Sequence, residues 1–257
     1  SLLESLTASP SPLLVDVLEP IPGSNPVGED ITYNDDFQAL KDEIDQISSV
    51  NPEGVDYGRI VETCRMLLGQ KAKDLRVAGY LALALSQTEG FRGMLEGLLA
   101  HKLLVDRYWE AMHPPLRRMN ARQNALQFMA ERLAQEAAKR TPEVQDREVI
   151  EGSLEVLKQV QGFVMEAMGE QAPVLSGLRK AFDDALRRVP NPTEPKPAPQ
   201  PKASTAPTQA AAPAGSPQTP APAAGQLESA QDALALLDQT AAFLQEQEPT
   251  NPTAYRI

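Results

Sequence analysis

The sequence predicts an all-α protein: a multi-helix, antiparallel bundle-like domain, then a Pro/Ala-rich linker, then a short helical segment. Three observations predict it. Apolar residues recur at spacings of three and four from about residue 34 to residue 189. No segment alternates with period two for long enough to form a strand, and the connections are short, which favours antiparallel neighbours. No self-similar period is present, so a tandem-repeat solenoid has no support.

The elements follow in order. Residues 1–12 are small and polar with Pro10 and Pro12, a loose lead-in. Leu13–Leu18 is apolar, and Pro20 and Pro22 stop it from extending as a helix. Residues 23–30, Gly-Ser-Asn-Pro-Val-Gly-Glu-Asp, are a dense run of turn formers and read as a structured loop. A helix then starts at an Asn34 or Asp35 cap, with Phe37, Leu40, Ile44 and Ile47 on one face, and stops at Asn51-Pro52-Glu53-Gly54. A second is predicted over 57–69, capped by Asp56, with Ile60, Cys64, Leu67 and Leu68 inward. A third spans 74–88, and Gly90 supplies a C-terminal stop. The fourth spans about 91–112, its buried side marked by Leu95, Leu98, Leu99, Leu103 and Leu104. The fifth runs from Asn120 to Arg140 with Leu126, Met129, Ala130 and Leu133 inward. Thr141-Pro142-Glu143 offers a hydroxyl cap, a proline at the first position and an early acid, so the next helix is expected to start there. It continues to Glu170 with a break at Gly152-Ser153, and a last helix covers 174–189.

Composition sets the organisation. Eleven of the 23 prolines lie between Pro190 and Pro222, and residues 190–225 contain no aromatic residue and no Leu, Ile or Val. Such a segment cannot bury enough apolar surface to offset ordering its backbone. It reads as a disordered linker, able to reach roughly 110 Å at ~3.1 Å per residue in polyproline II form. The expected division is a helical domain over 1–189, a linker over 190–225 and the start of a further helical region over 226–257, where Leu227, Leu234, Leu237, Ala241 and Leu244 recur. A lone amphipathic helix after a long linker has nothing of its own to pack on, so sequence beyond Ile257 or a docking partner is expected.

Charge and cysteine usage exclude several classes. The 257 residues carry a net charge of −11. Residues 1–60 hold 12 acids and 2 bases, whereas residues 61–189 hold 17 acids and 19 bases. An acidic N-terminal region thus precedes a balanced body, the opposite of a nucleic-acid binder, which neutralises phosphates with clustered Lys and Arg. One cysteine, Cys64, excludes an internal disulfide framework and fits a reducing compartment. No apolar run approaches the ~18 residues of a membrane span, and no signal peptide is legible at the start.

Catalytic patterns are thin. Cys64, His101 and His113 are the candidate zinc ligands, and no pair has ligand spacing; His101 is expected on a helix flank and His113 at a helix end. Ser176 lacks the first glycine of a nucleophile elbow. Cys64 reads as a buried small hydrophobe. Glu29 and Asp30, in a loop, are expected to fix that loop by accepting backbone N–H groups. Asp183-Asp184 reads as a solvated helix face. Arg117, Arg118 and Arg122 form a basic cluster that could meet an acidic partner surface or RNA; pairing with the chain's own acidic N-terminal region is the expectation. Trp109, the only tryptophan, reads as a core plug. No catalytic residue, metal or cofactor is assigned.

Four segments carry a resemblance. Pro22-Gly-Ser-Asn25-Pro26-Val-Gly28-Glu29-Asp30, followed by Tyr33 and Phe37, is similar to the opening of the ImpA-type N-terminal domain. Lys73-Asp74-Leu75-Arg76-Val77-Ala78 resembles that domain's "KDLRVA" stretch, and Tyr108-Trp109 through His113-Pro114 resembles its Tyr-Trp…His-Pro signature. Arg118-Met119-Asn120-Ala121-Arg122 resembles the element after it, and Glu248-Pro249 through Tyr255 resembles the close of the family's middle region. The four, in order over residues 20–125, resemble the TssA family of type VI secretion. The resemblance implies a cytoplasmic, non-catalytic assembly component acting at the baseplate and the growing tail. It implies contacts with baseplate, tube and sheath proteins and, in some members, the membrane complex. It also implies homo-oligomers formed by a C-terminal domain not found in this sequence. Asn25, Pro26, Gly28, Glu29, Asp30, Asp74, Arg76, Trp109, His113, Pro114 and Asn120 are then structural or interface positions. A sheath-capping or membrane-anchoring scaffold is the alternative role, and an enzyme with an unfamiliar site in a helical bundle is the lesser one.

Overall fold

The computed structural model describes residue 6, residues 8–47 and residues 54–190, all within the unit Ser1–Ala198. The expectations for the stop at 51–53, the linker and residues 226–257 lie outside the described residues. Those described form seven α-helices and no strand, with two isolated bridges, Gly28–Ala72 and Asp74–His113.

The first three helices start where a short polar side chain can accept an orphan N–H. α1 (Pro12–Leu18) is capped by Ser11, which accepts from Leu14 N–H at 3.3 Å, and ends before Pro20. α2 (Asp35–Ile47) is capped by Asn34, which accepts from Phe37 N–H at 3.1 Å, and it buries Phe37, Leu40 and Ile44. α3 (Tyr57–Gln70) is capped by Asp56, which accepts from Arg59 N–H at 3.0 Å, and it buries Ile60, Cys64, Leu67 and Leu68.

α4 (Leu75–Tyr108) is the axis of the fold and packs against α1, α3, α5 and α6. Most of its residues are buried, as in a helix enclosed by others, and Arg92, Asp106 and Arg107 reach solvent. It is also two arms rather than one rod. Gly90 has φ 62° and ψ −135°, a left-handed conformation that glycine adopts without a Cβ clash. The chain reverses there. Gly93 then lies against the Leu85 carbonyl, and a Cβ on Gly97 would come within 2.6 Å of Ala82 Cβ. The predicted third and fourth helices and their stop at Gly90 are these two arms.

α5 (Met119–Lys139), α6 (Arg147–Met168) and α7 (Ser176–Arg188) close the bundle, α5 and α6 on α4 and α7 across both. Four expectations are corrected. The helix expected from Thr141 starts at Arg147, because Glu143 and Asp146 cap each other around a 3-10 turn. Gly152-Ser153 does not break α6: both are buried inside it, and Ser153 Oγ donates to the Val149 carbonyl at 2.8 Å. The C-terminal arm of α4 stops at Tyr108 rather than near Met112, and Leu103 on that arm is only half-buried.

The close approach at Gly93 gives the first prediction. Gly93→Ala places a methyl against the Leu85 carbonyl, where backbone must move. Overpacking of that kind costs about 3 kcal/mol. A thermal melt should fall by roughly 10 °C at the ~2–4 °C per kcal/mol of a domain this size, and an unchanged melt would refute the hairpin packing.

Candidate functional site

The motif segments converge on one place. The loop at 22–30 is folded by Asn25, whose Nδ2 donates to the Gly28 carbonyl at 2.6 Å and whose Oδ1 accepts from Val27 N–H at 3.3 Å. Gly28 has φ 71°, and a Cβ there would overlap the Lys71 carbonyl oxygen. That approach lets three chain segments pair. Lys73 N–H donates to the Val27 carbonyl at 2.8 Å, His113 N–H to the Lys73 carbonyl at 2.8 Å, and Leu75 N–H to the His113 carbonyl at 2.9 Å. His113 Nε2 donates to the Gly28 carbonyl at 3.2 Å, which places the proton on Nε2. The peptide bond between His113 and the buried Pro114 is cis.

Around this junction lie the charged motif residues. Asp74, fully buried, accepts from Arg76 N–H at 2.9 Å as the cap of α4 and from Arg76 Nη2 at 2.6 Å. Arg76 also reaches Thr32 Oγ1 at 3.3 Å, approaches Asp30 at 3.8 Å and stacks 4.5 Å over the Phe37 ring. The Thr32 hydroxyl, together with the Thr32 N–H and Arg76, holds the Asp30 carboxyl below its usual range against the opposing effect of burial. Asp30 therefore fixes the loop as expected. Glu29 is exposed, and only its backbone N–H pairs, with Lys71.

Two buried cations complete the site, and sequence reasoning gave neither this role. Lys73 Nζ donates to the Asp16 and Leu68 carbonyls, both at 2.8 Å, and burial lowers its pKa to about 8. Arg122 is buried and donates to the carbonyls of Pro114 (2.6 Å), Trp109 (2.6 Å) and Met112 (2.7 Å), with its guanidinium 4.5 Å over the Trp109 ring. Burial pulls its pKa down to about 10, so it stays charged at neutral pH. Arg122 is thus removed from the expected surface cluster: its bonds go to backbone, not to the acidic N-terminal region, because a planar fork of N–H donors matches three converging carbonyls. Arg117 and Arg118 are exposed. Trp109 is buried edge-on against Phe163 at 5.3 Å, as a core plug. Asn120 is exposed and accepts from Gln171 at 3.1 Å, and Pro26 accepts from Ile21 N–H at 2.9 Å.

The other titratable candidates lie in packed surroundings. Cys64 is fully buried, which pushes its thiol up, away from the thiolate. His101, expected on a flank, is fully buried; its Nδ1 pairs with the Gly97 carbonyl at 2.9 Å and its Nε2 has no partner. No group of three or more His, Cys, Asp or Glu among the described residues could hold a metal ion. No helix among them is long and apolar enough to cross a membrane.

Beside the junction stands an exposed aromatic residue, Tyr33. Asn34 N–H closes a turn onto the Ile31 carbonyl at 2.9 Å, and the Tyr33 side chain, 93% exposed, stands on that turn.

Two predictions follow from these burials. Arg122→Met leaves three carbonyls without a donor and should cost about 3 kcal/mol or more, read as a lowered denaturant midpoint. Arg117→Ala and Arg118→Ala should each stay within about 0.5 kcal/mol. Burial lowers the His101 pKa to about 4 in the folded state, whereas an unfolded histidine titrates near ~6.5. The unfolded chain takes up the proton first, so the His101 contribution to stability is lost as pH falls from about 6.5 to 4. In unfolding curves the parent should lose stability relative to His101→Leu over that window; a constant difference between them would refute the buried neutral histidine.

Residues 18–131 match the family model described as ImpA, N-terminal, type VI secretion system. The fold is similar to a solved N-terminal domain, including the conserved ImpA_N region, of the TssA component of the type VI secretion system from Burkholderia cenocepacia. The TM-score is 0.61 at 20% identity, over 69% of this chain and 92% of that one. No curated protein sequence matches. All four motif segments that build the junction lie inside the matched range, so residues 18–131 are similar to the ImpA N-terminal family of type VI secretion, and the helical body that carries them has the fold of that solved TssA N-terminal domain.

Proposed function

We propose that the chain is a TssA-like assembly component of the type VI secretion apparatus, acting in the cytoplasm through protein–protein contacts and without catalysis. Its contacts are with the baseplate and the growing tube and sheath. One observation carries this reading: the polar groups of the motif segments are turned onto backbone and onto one another. Arg122 and Lys73 each bind two or more carbonyls, Asp74 caps α4, and Asn25 and His113 hold the loop carbonyl at Gly28. Groups spent in this way shape a surface instead of meeting a substrate.

Tyr33 is the outward product of that shaping. A tyrosine on a closed turn loses little conformational freedom on binding and offers a large contact area, which is why tyrosine is enriched among interface hot spots. In this reading residues 1–189 are the contact head, residues 190–225 a tether and residues 226–257 the approach to an oligomerising region. A tether raises the effective concentration of the head near its partners without fixing its geometry.

Co-purification tests the reading. The full chain should capture at least one of separately expressed baseplate, sheath and tube proteins. Tyr33→Ala should weaken that capture by tenfold or more while leaving the melting temperature unchanged. Capture of none of the three would overturn the proposal, and undiminished capture by the variant would remove Tyr33 from it.

A further inference from the structure

On the outer side of the bundle, away from the motif segments in sequence, α6 and α7 border a groove of about 260 Å³. Leu157 and Leu175, each 2% exposed, line it, together with Gln161. Val174, next to Leu175, is 70% exposed, and Met165, one turn beyond Gln161 on the same helix face, is 59% exposed. The volume lies below the ~300–1,000 Å³ usual for small-molecule sites. It suits one or two apolar side chains of a peptide.

The rim is positively charged. Lys158 and Arg179 line the groove and are exposed, and neither has a carboxylate at ion-pair distance among the described residues. Their neighbours on α7 differ: Lys180 and Arg187 both pair with Asp184. The start of α7 adds to the same polarity, because Leu175 occupies its cap position and no side chain accepts from the first N–H groups, beside Ser176 on the rim.

We propose that this groove docks an amphipathic, acidic helix of a partner protein, its apolar side chains against Leu157 and Leu175 and its carboxylates on Lys158 and Arg179. Charge complementarity selects the occupant. Two cations over an apolar floor are too few to track a phosphate backbone, which takes a run of them. A partner strand would need a sheet edge, and the described residues have none; the helix-in-groove mode fits two packed helices. The inference does not depend on the secretion role.

The test uses the full chain and two labelled 18-residue peptides with leucines at helical spacing, one flanked by glutamates and one by lysines. The glutamate peptide should bind and protect amides around residues 157–161 and 174–179 from hydrogen exchange, and the lysine peptide should not bind. The double variant Lys158→Glu, Arg179→Glu should weaken the glutamate peptide at least tenfold and gain binding of the lysine peptide. Both substitutions are at exposed positions, and a matching melting curve will show that the fold is kept. Equal binding by the double variant, protection elsewhere, or occupation of the groove by a second copy of the chain, seen as a dimer lost in the double variant, would each overturn the proposal.

Discussion

Between α3 and α4 the chain passes through residues 71–74 without helical structure, and there its backbone must find partners elsewhere. It finds them on both sides. Glu29 N–H pairs with the Lys71 carbonyl and the Val27 carbonyl with Lys73 N–H, and His113 pairs with Lys73 and Leu75. These six or so residues join segments roughly forty positions apart in sequence. They set where α4 begins, how the loop after α1 lies on it, and where the chain leaves α4 for α5. The arrangement depends on Gly28, since any Cβ would overlap the Lys71 carbonyl and force the segments apart. Unpaired, each of those buried backbone groups would carry a desolvation penalty of about 1–3 kcal/mol, so the junction forms as a whole or not at all.

The same logic explains the charges inside the fold. Lys73, Asp74 and Arg122 are all fully buried, a placement that normally opposes folding. Each is tolerated because its hydrogen-bonding capacity is met by groups with no better partner. Arg122 collects three carbonyls left over where the second arm of α4 unwinds. Lys73 collects one carbonyl from the end of α3 and one from α1. Asp74 takes the N–H of Arg76 in the first turn of α4 and the Arg76 guanidinium. Charge here ties loop ends to helix ends, a task that apolar side chains cannot perform. The conspicuous motif residues are therefore the ones that replace regular secondary structure where it runs out.

The loop over residues 22–34 is tied down by such bonds, whereas loops are usually the mobile parts of a helical domain. Stiffness is useful to a contact module, since a preformed surface loses less freedom on binding. Tyr33 stands on one such loop, on a turn closed by Ile31 and Asn34 and beside the Asp30–Thr32–Arg76 cluster. The α6–α7 groove lies among regular helices and draws its shape from packing alone. The molecule thus offers two kinds of surface, one fixed by hydrogen bonds and one by helix geometry.

Periodicity and caps made most helices legible in the sequence, because a helix needs only local residues: Asn34, Asp56 and Asp74 each act on an N–H two or three positions ahead. The stop at Gly90 was legible for the same reason. Thr141 misled because Glu143 and Asp146 formed a competing local cap, and Gly152-Ser153 misled because α6 packs small residues without breaking. The motif segments were recognisable as segments, but their meeting was not. The sequence by itself determined the fold class, the starts of the early helices and the presence of the motif segments, all properties of residues within a few positions of each other. Only the tertiary structure decided that Arg122 turns inward while Arg117 and Arg118 stay in water, that His101 is sealed in the core, and that the loop at Gly28, the turn at Lys73 and the strand-like residue His113 share one hydrogen-bond ladder. Those outcomes depend on which distant carbonyls lack a donor, and chain order carries no record of that.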